Sequence, residues 1–88
     1  MNTDEQKALY DNADKFINLA NELAKSERLA LVGAALRFAA ARYSAYEASL
    51  QTKTLAAEKD EKLQIFAEDF SNMLKINIED YITVQSQS

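Results

Sequence analysis

Apolar residues recur along the first third of the chain at three- and four-residue spacing. Leu9, Ala13, Phe16, Ala20 and Leu23 form one stripe, Leu19 lies on the same side, and Tyr10, Ile17 and Ala24 widen it. This pattern predicts an amphipathic helix over about 4–25. Thr3 followed by Gln6 reads as a capping box that opens it. Asp4 and Glu5 suit the positive end of its dipole and Lys25 the negative end, while Asp11 and Lys15 are spaced as an i,i+4 ion pair.

Ser26 is the best break, an N-cap ahead of Glu27. No glycine or proline enforces it, so the alternative is one bent helix running through Ser26. The second helix, about 27–51, carries one stripe of Leu29, Val32, Leu36, Ala40, Tyr43 and Leu50. A roughly opposite stripe holds Leu31, Ala34, Phe38, Ala41 and Ala45. A helix apolar nearly all round is expected at the centre of a packed structure, and Gly33 and the alanines are expected to allow close helix approach.

Gln51 to Thr54 reads as the second connection, with Thr54 an N-cap and Glu58 and Lys62 an ion pair just beyond it. The third helix, about 55–82, has a core stripe of Leu63, Phe66, Ala67, Phe70, Met73, Leu74, Ile78 and Tyr81. Ile65 and Ile76 lie off it, on a face shared with Asp69 and Asn72. Residues 85–88 lack an apolar anchor and are expected to be a disordered tail, leaving residues 1–84 as a single helical domain. The expected fold is all-α: three long amphipathic helices in an antiparallel bundle. With only two neighbours for a two-faced central helix, a second subunit is the simplest cover, so a homodimer is expected.

Composition supports helices and removes most chemistries. The chain of 88 residues has one glycine and no proline, and it has neither cysteine nor histidine. Disulfides, thiolate nucleophiles, imidazole bases and the usual zinc or haem ligands are therefore out of reach, and no cofactor, metal or catalytic residue is expected. The doublets Asp60-Glu61, Glu68-Asp69 and Glu79-Asp80 lack the histidine of helical di-iron sites and the glycine-bearing loop of calcium sites, and read as solvated helix faces.

The net charge of −4 is uneven: −2 over residues 1–25, +1 over 26–50 and −3 over 51–88, with all three arginines in the middle segment. An acidic exterior argues against nucleic acid. Leu29 to Ala41 is too short for a bilayer span and is interrupted by Arg37, so no membrane segment is expected. The first residues lack the basic and apolar regions of a secretory signal, which makes the cytoplasm the expected location.

The candidate binding residues are Arg37, Phe38, Arg42, Tyr43 and Tyr46. Arg42 lies one turn from Phe38 and from Tyr46, so aromatic rings are placed to sandwich its guanidinium. Arg37 lies on a row of small residues, Gly33, Ala41, Ser44 and Ala48, and points about 140° away from Arg42. The plainer reading of both arginines is an inter-helix or inter-subunit salt bridge to acids such as Asp14, Glu22, Glu68 or Asp69; the functional reading is a pocket for a small anion or an acidic peptide. Tyr10, Tyr43, Tyr46 and Tyr81 read as core or interface packing. Asn18 and Asn21 are placed either to hydrogen-bond to the second helix or to face solvent.

The runs Phe16 to Glu22, Phe38 to Tyr46 and Met73 to Ile82 resemble a family of short bacterial proteins classed as a domain of unknown function. The resemblance covers nearly the whole chain and implies a stand-alone helical protein, with no activity or site residue attached. The expected role is non-enzymatic, through binding another protein; the alternative is an anionic-ligand or acidic-peptide binder using Arg37 or Arg42.

Overall fold

The computed structural model describes residues 1–87 and is all-α: α1 (Thr3–Leu23), α2 (Leu29–Gln51) and α3 (Leu55–Ser86). At 1.5 Å per residue these run roughly 32, 35 and 48 Å.

Helix α1 opens one residue earlier than the capping box suggests. Asn2 is the N-cap, its side-chain oxygen accepting from the Glu5 backbone N–H at 2.8 Å, and Thr3 is already helical. Asparagine outranks threonine at this position, which decides between two adjacent candidates.

The break at Ser26 is real. Ala24 N–H donates to the Ala20 carbonyl, and Ser26 and Glu27 N–H groups both donate to that of Leu23, which uses up the carbonyls at the end of α1. Ser26 does not cap α2, however. The Arg28 carbonyl accepts from Leu31 and Val32, so the helix begins two residues later than expected, at Leu29. No described residue outside glycine has a positive φ, so the turn is made of ordinary backbone.

Helix α3 runs past Ile82 through Gln85 to Ser86. Thr83 donates its hydroxyl to the Glu79 carbonyl and Ser86 donates to Ile82, so polar side chains return hydrogen bonds to the preceding turn where no apolar anchor exists. Of the tail expected over 85–88, Ser88 lies outside the described residues.

Packing divides the chain into two compact units, Met1–Tyr43 and Ser44–Ser88, with the boundary inside α2. In the N-terminal unit Val32 is buried at 6% exposure, and Ala13, Ala20, Ala24 and Gly33 are half-buried. The shielded positions of α1 thus trace the expected stripe, but only its alanines are covered. In the C-terminal unit Ala48 is buried at 4% exposure, with Ser44, Thr52, Leu55, Glu58, Lys62 and Phe66 half-buried.

The expected core is otherwise on the surface. Leu9, Phe16 and Leu23 of α1, Leu29, Leu36 and Phe38 of α2, and Leu63, Phe70, Met73, Leu74, Ile78 and Tyr81 of α3 are all exposed. Every described residue from Ala67 onward is exposed. Of α2, Val32 and Ala48 are the buried positions among the described residues, one in each unit.

Candidate functional site

Helix α2 is unbroken from Leu29 to Gln51, so it places its candidate residues by helical geometry alone. Phe38, Arg42 and Tyr46 follow at four-residue steps down one side, while Arg37 and Tyr43 lie elsewhere on the circumference. All five are exposed, Phe38 at 73%. The row of an aromatic, an arginine and an aromatic is thus present, but as open surface rather than as the lining of a buried site.

The ion pairs among the described residues are Lys7 with Asp11 at 2.7 Å and Lys25 with Glu22 at 2.9 Å, both exposed and within one helix turn. Arg28, Arg37 and Arg42 have no acid oxygen within the 4.0 Å reach of an ion pair among those residues. Neither Arg37 nor Arg42 is thus bridged to Asp14, Glu22, Glu68 or Asp69 among the described residues of one chain, which corrects the inter-helix form of the expectation and leaves the inter-subunit form as a proposal. The inter-helix form rested on both arginines being buried within the chain, and both are exposed there. The expected Asp11–Lys15 pair is also replaced: Asp11 is held by Lys7, and Lys15 donates to Asn12 at 3.3 Å. Asn18 and Asn21 face solvent.

Gly33 takes a different part from the one its size suggests. A Cβ added there would meet Arg37 Nη1 at 3.3 Å, and nothing else is nearer than the rest of that guanidinium. The space above Gly33 is filled by an arginine folded back along its own helix, not by the backbone of a neighbouring one.

The densest polar constellation is one the sequence reading only half found. At the start of α3, the Thr52 and Thr54 hydroxyls both donate to Glu58 Oε2, the second at 2.7 Å, and the Thr54 backbone N–H donates to Thr52 Oγ1 at 3.0 Å. Thr54 is the N-cap residue, but its hydroxyl serves Glu58 instead of a backbone amide. Lys62 reaches back to Gln51 Oε1 at 2.9 Å, so the expected Glu58–Lys62 contact is a longer-range attraction, not a direct pair. The hint in the sequence was Thr-x-Thr followed four residues later by glutamate.

The hydroxyl donated by Thr52, then that of Thr54, hold the Glu58 carboxyl below its ordinary value of 4.5 against the opposing effect of burial, with a lesser lowering from the charge of Lys62. A depressed folded value means that ionised Glu58 stabilises the fold above the unfolded carboxylate range, and that this contribution is lost as pH falls through the folded value. Glu58→Gln should therefore lower Tm at neutral pH, with the gap to wild type closing below pH 4.5. A gap that persists undiminished in strong acid would show that the carboxylate charge is not what matters.

Among the described residues no three acidic side chains are gathered as a metal-holding group, and no helix is long and apolar enough to cross a membrane. The arrangement offers exposed apolar rows, arginines on α2 with no ion pair among the described residues, and a hydrogen-bonded connection before α3. Neither a curated protein nor a solved structure matches the chain. The family described as Protein of unknown function (DUF3144) matches residues 9–82, from Leu9 of α1 almost to the end of α3. With that span covered, the chain belongs to this family of short helical proteins.

Proposed function

We propose that this protein has no catalytic role and works by binding protein, with its exposed apolar faces first engaged in self-association as a homodimeric helical bundle in the cytoplasm. The carrying observation is burial: two side chains, Val32 and Ala48, are buried, while large apolar side chains are exposed on all three helices.

Self-association has a simple signature. Light scattering should give twice the chain mass at micromolar concentration, and Tm should rise with protein concentration because assembly stabilises only the folded state. A monomeric mass together with a concentration-independent Tm would overturn the reading.

A second reading rests on Arg37 and Arg42, whose guanidinium groups have no acid partner among the described residues. It makes the protein a binder of small anions or acidic peptides. A rise in Tm with inorganic phosphate that Arg42→Gln abolishes is the result that supports it.

A further inference from the structure

We infer that the partner covering α3 is the second helix of another copy of this chain: the stripe of α3 in one copy seats on the Leu31–Phe38 face of α2 in the other, and the reverse contact completes a two-fold pair. This rests on the self-association proposed above and says which surfaces meet.

The apolar stripe of α3 outlasts anything its own unit supplies. Within the C-terminal unit α2 contributes residues 44–51, roughly 12 Å of helix, against roughly 48 Å of α3. Phe70, Leu74 and Tyr81 lie within about 20° of Leu63 around the axis at ~100° per residue, and all four are exposed. On α2, Leu31 and Phe38 lie on the side opposite Leu29 and Leu36, and that side too is exposed.

Charge selects between occupants of equal apolarity. Helix α3 carries seven acids and three lysines, so two α3 stripes would bring like charge together. Helix α2 carries Arg37 and Arg42 against Glu47, with Arg28 at its N-terminal boundary. Arg42 lies about 40° round α2 from Phe38, and Arg28 stands just before the helix, 14 positions from Arg42; Asp69 and Asp80, 11 positions apart, lie about 120° and 100° round α3 from Leu63, beside Met73 at the edge of the wider apolar stripe. The corresponding spans, about 21 and about 17 Å, are commensurate. None of the four is in an ion pair among the described residues. The chain thus carries the complement of its own acidic helix, which an unrelated partner would have to provide afresh.

The test mixes two variants, each disabled for self-pairing. Arg28→Glu with Arg42→Glu places acid against acid in both contacts of a pair, and Asp69→Lys with Asp80→Lys places base against base. Each alone should weaken dimerisation at least about tenfold in sedimentation velocity at low salt. Mixed, they should form a heterodimer within about threefold of wild type, because each contact then joins opposite charges. As control, Glu61→Lys with Glu79→Lys makes the same change in charge on the far side of α3 and should not rescue the arginine variant.

A wild-type dimer with no rescue in the mixture overturns this inference and leaves self-association standing. Rescue only when all four changes are combined in one chain overturns it as well, since the contact would then lie within a chain. A wild type monomeric at every concentration removes both this and the reading on which it rests.

Discussion

Replacing Phe38 by glutamate is expected to raise the dissociation constant of the assembly at least about 30-fold, the equivalent of a 2 kcal/mol interface residue. The logic turns on exposure. Phe38 is 73% exposed in the single chain, so a polar replacement there should change the stability of an isolated chain by no more than about 0.5 kcal/mol. A large effect can arise only if something outside the chain covers the ring. Light scattering across a dilution series separates the two: halved mass with helicity retained is the expected outcome, and wild-type mass and Tm would mean that the Phe38 face is not an interface.

Val32→Asp acts at the opposite kind of position and should be the most damaging single change to the chain itself. Val32 is buried at 6% exposure in the N-terminal unit. Aspartate there loses the transfer energy of the valine and shuts a carboxylate away from water with no hydrogen-bond donor supplied, a cost of about 3 kcal/mol or more. For a chain of 88 residues that is a large part of roughly 4 to 13 kcal/mol of total stability. Far-UV circular dichroism in urea should show the midpoint collapse, while Val32→Ala, which removes two methyl groups and adds no charge, should cost about half as much. Equal losses from the two variants would show that packing volume, not desolvation, governs the site.

Much of this architecture is legible in the residues. Three helices, the break around Ser26 and the short connection after Gln51 all follow from periodicity and from the scarcity of glycine and proline. The start of α1 was misplaced by one residue because Asn2 and Thr3 both satisfy the cap pattern, and only the hydrogen bond from Glu5 chooses between them. The end of α3 was misplaced because a polar tail suggests fraying, whereas Thr83 and Ser86 bond back to carbonyls four residues earlier.

The candidate residues on α2 were legible as a pattern and not as an environment. Periodicity says that Phe38 and Leu36 occupy opposite apolar faces; it is silent on whether either face is covered inside the chain. Reading apolar all round as buried within the chain implies inter-helix pairs for Arg37 and Arg42, and their exposure removes the need for those pairs inside one chain. The Glu58 knot escaped for another reason. A threonine before a helix is ordinarily read as an acceptor for a backbone amide, and here both hydroxyls donate instead to one carboxylate.

The turn at Ala24–Arg28 bears on how freely the sequence can drift. Its backbone never enters the left-handed region, and it is closed by main-chain carbonyls of the preceding helix. No position in it needs glycine for its conformation, so most side chains can be exchanged there without strain. The connection before α3 has the opposite character, because its shape depends on two hydroxyls and a carboxylate meeting at one oxygen. Mutational tolerance should therefore differ sharply between two connections that are equally poor in glycine and proline, with the second confined to residues that preserve the donors of Thr52 and Thr54 and the acceptor of Glu58.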